Sequence, residues 1–184
     1  MSKVVFLDRD GVLNYDRKNF IKTPQEFILY PYTVTSLAKL KKAGFKLFII
    51  TNQSGVGRGI ITMENLNLIH NKLFLTFTSF GVYIDDIYVC PHHPKAGCIC
   101  RKPSTFMYQK ALSEHNLLPS VCYCIGDRPS DIEAGNRMGY PTFLVLTGKG
   151  RRWVNFICNK TKPNYIVPTL AEAVEEILNL NGRE

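Results

Sequence analysis

The chain has 184 residues, 45% hydrophobic and 21% charged, with 23 basic against 15 acidic side chains for a formal charge of +8. That length suits one domain, and no apolar run approaches the ~20 residues a membrane span needs. The positive balance favours anionic partners, phosphorylated metabolites or nucleic acid, although several of the lysines (Lys39, Lys41, Lys42, Lys46) fall on or beside a helix that reads as surface.

The first element is a strand over 4–7, Val-Val-Phe-Leu, ended by Asp8-Arg9-Asp10-Gly11. Two carboxylates then stand two positions apart at the strand's carboxyl end, the edge where open α/β sheets bind ligands. Carboxylates that close repel unless a cation or a proton intervenes. On these residues alone, a plain strand-end turn capped by Asp explains them equally well. Lys3 followed by four apolar residues and then Asp8 does not read as a secretory leader. A cytoplasmic chain with reduced thiols is therefore expected, and its six Cys need an explanation other than disulfides.

The stretch 12–32 is long for a connection and is expected to be functional. A helix follows over 33–43, stopped by Gly44, then a strand over 46–50. Thr62 is a good N-cap for a helix over 62–79. Further strands fall near 86–90, 121–125, 142–146 and 165–167, and further helices over 104–115, 130–138 and 170–180. The last opens on Thr169-Leu-Ala-Glu172, the pattern of a capping box. Strands alternating with helices imply an α/β fold, a doubly wound parallel sheet with right-handed crossovers. Residues 1–184 are expected to form a single domain with no large cap. The segment 148–164 is polar, basic and irregular.

Polar signals recur immediately after predicted strands. Asp8 and Asp10 follow the first, Thr51-Asn52-Gln53-Ser54 the second, and Gly126-Asp127-Arg128-Pro-Ser-Asp131 the fourth. In a parallel sheet all three land on one edge, and Arg101-Lys102, ahead of the helix at 104, can reach the same rim. That set offers carboxylates for a hard cation such as Mg²⁺, hydroxyl and amide donors, and a fixed ammonium, which suits phosphoryl transfer.

A second cluster, Cys90-Pro-His92-His-Pro-Lys-Ala-Gly-Cys98-Ile-Cys100, places three Cys and one His within eleven residues. Cys₃His is a structural Zn²⁺ set, closed and therefore not catalytic. Unmetallated reduced thiols are the alternative. His93 is the poorer ligand, because the C-x-H…C-x-C pattern uses His92. Cys122 and Cys124 alternate within a strand and are expected in the core, Cys158 has no evident partner, and His70 and His115 read as structural or surface residues.

In order and spacing, Asp8-Arg-Asp10-Gly-Val, Thr51-Asn52, Lys102 and Gly126-Asp127-Arg-Pro-Ser-Asp131 resemble the four motifs of the haloacid-dehalogenase-like phosphohydrolases, over residues 4 to about 148. The resemblance implies that Asp8 attacks phosphorus and Asp10 serves as acid, then base. Thr51 and Lys102 would hold phosphoryl oxygens. Asp8, Asp127 and the main-chain carbonyl of Asp10 would hold Mg²⁺, with Asp131 and Arg128 in support. The zinc loop running into Arg101-Lys102-Pro103 resembles two sister groups, the D-glycero-D-manno-heptose 1,7-bisphosphate 7-phosphatases and the histidinol-phosphate phosphatases. The run Thr51-Asn52-Gln53-Ser54-Gly-Val-Gly-Arg58-Gly59 resembles the heptose group, which implies that Arg58 grips a second phosphate; a solvated loop charge is the other reading. The zinc loop departs from some heptose phosphatases in being compact, which leaves the sugar anomer open.

The expectation is a Mg²⁺-dependent hydrolase acting on a small sugar bisphosphate, with substrate contacts from Thr51, Asn52, Gln53, Ser54, Arg58, Arg101, Lys102 and the 12–32 residues Asn14, Asp16, Arg17 and Lys18. Such an enzyme would feed cell-surface lipopolysaccharide synthesis. A monomer is expected. Histidinol phosphate is the alternative substrate. A basic, zinc-stabilised nucleic-acid-binding or 3′-phosphatase module is the alternative class, disfavoured because no RNA-binding aromatic motif is present.

Overall fold

The computed structural model describes residues 2–182. Six strands, β1 (Ser2–Leu7), β2 (Phe45–Asn52), β3 (Asp86–Cys90), β4 (Pro119–Gly126), β5 (Thr142–Val145) and β6 (Tyr165–Val167), form one sheet in the order β3-β2-β1-β4-β5-β6. All five neighbouring pairs are parallel. The helices are α1 (Thr33–Lys42), α2 (Ser54–Gly57), α3 (Met63–Ser79), α4 (Phe106–Glu114), α5 (Pro129–Arg137), α6 (Gly150–Trp153) and α7 (Leu170–Asn181).

The strands alternate between two cores because successive side chains of a strand point to opposite faces. Val5 and Leu7 of β1, Leu47 and Ile49 of β2, and Tyr123 and Ile125 of β4 pack with α1, α3 and α7. Val4, Phe6, Phe48, Ile50, Cys122 and Cys124 pack on the other face with Met107 and Ala111 of α4 and Ala134 of α5. The two strand cysteines are thus core residues, as their alternation predicts. Order and layering are coupled: β1→β2→β3 runs one way across the sheet with its helices on one face. The path then reverses, and the helices change face, as crossovers of a single hand require.

The predicted boundaries shift by a residue or two, for local reasons. β2 continues through Thr51 and Asn52, which pair with Val89 and Cys90 of β3. α5 starts at Pro129, one residue early, because the Asp131 carboxylate accepts the Arg128 main-chain N–H at 3.0 Å and caps the first turn. α4 starts at Phe106, two residues late, after Ser104 Oγ accepts the Phe106 N–H at 3.2 Å. The capping residues Thr62 and Thr169 stand as expected. The short helices α2 and α6 were not predicted. Among the described residues no large insertion covers the carboxyl edge of the sheet, and no helix is long and apolar enough to cross a membrane.

Candidate active site

The path reverses between β1 and β4, which is where a doubly wound sheet opens a crevice at its carboxyl edge. Leu7 pairs with Ile125, so Asp8 and Asp127 leave adjacent strands side by side. A cavity of about 350 Å³ sits on this edge. Its walls include Asp8, Asp10, Asp16, Thr51, Asn52, Gln53, Ser54, Arg58, Arg101, Lys102, Arg128 and Asp131, so the residues singled out at the strand ends converge, with the exception of buried Asp127 behind them.

Lys102 is 3% exposed. Its Nζ lies 2.9 Å from Asp8 Oδ1 and 2.7 Å from Asp131 Oδ1. Burial alone would make the ammonium easier to deprotonate, but Asp131 and Asp8 outweigh it and hold its pKa above the ordinary lysine value. Asn52 pins the Lys102 backbone: its Nδ2 donates to the carbonyl at 3.2 Å and its Oδ1 accepts the N–H at 3.1 Å. Asn52, expected at the substrate, lines the cavity while its amide also places Lys102.

Asp127 is fully buried. Its Oδ2 accepts the Lys149 main-chain N–H at 2.7 Å, while Oδ1 has no hydrogen-bond partner among the described residues. Gly11 and Gly148 let the backbone close around it: both have positive φ, and a Cβ on either would come within 2.3 Å of Asp127 Oδ2. Burial, then Asp8, then Asp131 push its carboxyl well above the usual range. Oxygens of Asp8, Asp127 and Asp131 all lie within 4.8 Å of one another. A buried carboxylate oxygen with no hydrogen bond among the described residues, the Arg128 Nε 3.6 Å away, beside two more carboxylates fits a hard dication, whose opposite ligands span roughly 4 Å for Mg²⁺. Asp131, expected in support, is ion-paired with Lys102.

Asp10 faces the cavity, held by donors on every side. Arg9 donates to it from Nε at 3.1 Å and from Nη2 at 2.9 and 2.8 Å. Asn14 Nδ2 and Gln53 Nε2 add bonds of 2.9 and 2.8 Å. Burial would raise its pKa, but the Arg9 charge and the bonds from Asn14, Gln53 and Arg9 together bring it below the ordinary carboxylate value. Gln53 Nε2 also donates to Thr51 Oγ1 at 2.8 Å, so one amide ties the two strand ends. Asn14 was expected at the substrate. Instead it is fully buried, because its amide orients Asp10. Asp16, Arg17 and Lys18 from the same loop do line the cavity.

Arg9 escaped the sequence reading, and His70, read as a structural or surface residue, is buried on α3. Arg9 is fully buried, and its Nη1 lies 2.9 Å from His70 Nε2 on α3. Burial, with Arg9 adding to it against an opposing pull from Asp10, depresses the His70 pKa to about 3. A signal existed: Arg9 continues the parity of Val5 and Leu7, the face that packs against α3. Lys149 was also missed; with Arg128 it reaches Asp16, at 3.4 and 3.3 Å, joining three loops at the rim. It follows β5 as the other site residues follow their strands.

The thiols cluster as expected. Cys90 Sγ lies 3.6 Å from Cys98 Sγ and 3.7 Å from His92 Nδ1, and His92 Nδ1 lies 3.2 Å from Cys100 Sγ. One donor atom from each of the four falls within 4.8 Å of the others. These separations fit the edges of a tetrahedron with Zn–S near 2.3 Å and Zn–N near 2.0 Å. Burial and then neighbouring Cys100 push the Cys90 thiol up, while at Cys98 burial is outweighed by hydrogen bonds, the largest from Cys90, which bring that thiol down. His93 is turned elsewhere, its Nδ1 accepting the Lys95 N–H at 3.1 Å. The loop abuts the site: Gly57 N–H donates to Pro91 O at 2.8 Å, and Pro94 lines the cavity.

Fold and site together define a haloacid-dehalogenase-type phosphohydrolase. Residues 99–173 match the family model for HAD-hydrolase-like proteins, and residues 3–133 match that for Polynucleotide kinase 3 phosphatase. A D-glycero-beta-D-manno-heptose-1,7-bisphosphate 7-phosphatase of Bordetella bronchiseptica is 37% identical over 150 residues, 82% of this chain and 84% of that protein. A D-glycero-alpha-D-manno-heptose-1,7-bisphosphate 7-phosphatase of Photorhabdus laumondii is 36% identical over 154 residues, 79% of this chain and 84% of that protein. The crystal structure of the B. bronchiseptica D,D-heptose 1,7-bisphosphate phosphatase complexed with magnesium and phosphate matches with a TM-score of 0.90 at 34% identity, covering 97% of this chain and 99% of that one. The chain belongs to the D-glycero-D-manno-heptose-1,7-bisphosphate 7-phosphatase family of haloacid-dehalogenase-like phosphatases, and is a phosphoric monoester hydrolase.

Proposed function

We infer that this enzyme removes the C7 phosphate of D-glycero-D-manno-heptose 1,7-bisphosphate through an aspartyl-phosphate. One observation carries the chemistry: a buried ammonium, Lys102, held between Asp8 and Asp131 on the wall of the cavity, with buried Asp127 completing the carboxylate cluster. In the first step an Asp8 oxygen bonds to phosphorus as the P–O bond to C7 breaks, and Asp10 delivers a proton to the departing oxygen. The dianionic phosphate beside Asp10 raises its affinity for that proton. In the second step water attacks phosphorus, Asp10 takes the water's proton, and the phosphorus–Asp8 bond breaks, releasing phosphate and restoring Asp8. Lys102 and Thr51 neutralise and orient the phosphoryl oxygens throughout. Mg²⁺, held by Asp8, Asp127 and the main-chain carbonyl of Asp10, supplies charge neutralisation when bound.

The cationic side chains on the cavity wall suit a second phosphate. Arg58, Arg101, Arg128 and Lys149 face the same space, and Arg101 Nη1 is buried without a hydrogen-bond partner among the described residues. Arg58 and Arg101 are assigned to the anomeric phosphate, and Asp16, Arg17 and Lys18 to the sugar. Residues 1–184 act as a single phosphatase domain with the 90–100 zinc loop inserted. It is a cytoplasmic monomer of carbohydrate metabolism.

Phosphate release is to be measured on both heptose bisphosphate anomers, on histidinol phosphate and on a 3′-phosphorylated oligonucleotide, with and without Mg²⁺. Highest kcat/KM on a heptose bisphosphate is expected. Arg58→Ala should cost about tenfold or more on the bisphosphate, the worth of a lost charge-assisted contact, and little on a monophosphate. Preference for histidinol phosphate would overturn the substrate assignment. Preference for the oligonucleotide would favour the 3′-phosphatase reading, which has the match over residues 3–133 and the +8 charge behind it.

A further inference from the structure

Arg9 is an expensive residue to bury: a guanidinium with no exposed surface, between two carboxylates in the chain. Its contacts divide by nitrogen. Nε and Nη2 go to Asp10, and Nη1 goes to His70 Nε2 at 2.9 Å. The Phe27 ring lies 5.9 Å from the guanidinium carbon. A guanidinium has five N–H donors and no acceptor, so His70 must accept through Nε2 and carry its proton on Nδ1. His70 is itself 6% exposed, fixed on α3 beside Ile69 and Leu73 of the core, and does not reach the cavity.

The far end of the Arg9 fork is therefore anchored in the core while its near end grips Asp10. The Nε/Nη2 pair fixes the fork against Asp10, and the His70 contact at Nη1 ties that same plane to α3, so the fork and the carboxylate it grips cannot shift together away from the core. We propose that His70 is a positioning residue for this enzyme: through Arg9, and alongside the amides of Asn14 and Gln53, it helps set the orientation in which Asp10 meets the leaving oxygen and the attacking water. This rests on the reading of Asp10 as the acid and base. It assigns to α3, an element that contributes no side chain to the cavity wall, a part in the alignment of the reaction. A misplacement of about 1 Å at a reacting group costs on the order of 10²-fold in rate, so the effect belongs in kcat rather than in KM.

The experiment compares His70→Leu, which keeps apolar bulk and removes the acceptor, with His70→Gln, whose Oε1 can still accept from Arg9. Expected for His70→Leu is a kcat lower by about 10- to 100-fold with KM within about threefold. Expected for His70→Gln is recovery of most of that loss. In the wild type, ¹⁵N shifts of the imidazole should report the neutral Nδ1–H form, a reading that stands even where a variant fails to fold. A His70→Leu enzyme with unchanged kcat, a loss that Gln does not restore at matched melting temperature, or an Nε2–H imidazole would overturn the proposal. Asp10→Asn separates the two levels. If it stays active, the acid–base reading itself fails. If it is inactive while His70→Leu is active, only the positioning role fails.

Discussion

Lys102 Nζ lies 2.9 Å from Asp8 Oδ1, across 94 residues of chain, and the pair is almost wholly buried. Neither partner could be buried alone: an unpaired ion in the interior costs several kcal/mol. Asp131 at 2.7 Å on the other side makes Lys102 the shared counter-ion of two carboxylates. The ammonium assigned to the transferring phosphoryl group is thus already part of what holds the end of β1, the first turn of α5 and the 101–105 turn together.

Lys102→Met follows from that double role. It strands two buried carboxylates and removes a charge aimed at the transferring group. Turnover should fall by about 10²–10³-fold, with stability lower by about 3–5 kcal/mol in metal-free buffer. Because the Lys102 pKa is raised, its contribution to stability is fully present below the ordinary lysine value and is lost only as pH rises through the higher folded one. Lysine titration should therefore impose no fall in stability below about pH 10. Steady-state kinetics and urea melts check both; a fully active Lys102→Met enzyme would remove the ammonium from the chemistry.

Asp8→Asn should lower kcat by about 10⁴-fold or more, as loss of a nucleophile does in other covalent enzymes. The variant keeps shape and volume, so its melting temperature serves as the folding control. Rapid quench with ³²P-labelled substrate should trap label on the wild type and none on the variant. Near-normal turnover without labelled protein would end the covalent scheme.

Mg²⁺ should stabilise the protein more at high pH than at low. Asp127 is held well above the ordinary carboxylate range by burial, Asp8 and Asp131. A carboxyl whose folded pKa is raised favours folding below its unfolded value, and that advantage is lost as pH rises through the folded pKa. Metal binding removes this penalty, and at about 100 times its dissociation constant adds about 2.7 kcal/mol. His70 acts with the opposite sign: with a folded pKa of about 3, it contributes stability above its ordinary 6.5 that is lost as pH falls toward 3. Melting with and without Mg²⁺ at each pH cancels the histidine and isolates the carboxylates. An equal Mg²⁺ shift at pH 5.5 and pH 8 would contradict this account.

Most of the sheet was legible because its strands are buried on both faces and read as short apolar runs broken by polar strand ends. Asp8, Thr51 and Asp127 could be found for the same reason: a parallel sheet sends every strand's last residue to one rim. The parts that could not be read depend on where a side chain turns after the strand ends. Arg9 looked like one more polar residue between Asp8 and Asp10, yet it points into the core toward His70. Asn14 and Asn52 looked like substrate contacts; Asn14 is buried with its amide on Asp10, and Asn52, on the cavity wall, also pins the Lys102 backbone. Lys149 lies at the start of a segment with no periodicity to interpret, and only the burial of Asp127 beneath Gly148 shows why the chain passes there.

Removing zinc should lower kcat although no zinc ligand lines the cavity. The four donors of residues 90–100 fit a closed tetrahedral site, which leaves no position for substrate. The loop is bonded to the β2–α2 segment through Gln53 N–H to Cys90 O and Gly57 N–H to Pro91 O, each at 2.8 Å. It ends where Arg101 and Lys102 begin. Without the ion, this loop would keep only a few hydrogen bonds and the packing of its cysteines, whereas structural zinc in small peptides contributes roughly 10–16 kcal/mol. Disorder there would release Lys102 from Asp8 and Pro94 from the cavity wall. The wild type is expected to carry one zinc ion per chain, and Cys98→Ser to lose it, melt at lower temperature and turn over at least about tenfold more slowly, the lower end of what a displaced catalytic group costs. Substituting Co²⁺ or Cd²⁺ for Zn²⁺ should preserve turnover, because such an ion shapes the loop and takes no part in bond making. Strong dependence of kcat on which of these metals fills the site would instead give the cluster a catalytic role, and full activity in a zinc-free chain would show that the loop holds its shape on hydrogen bonds alone.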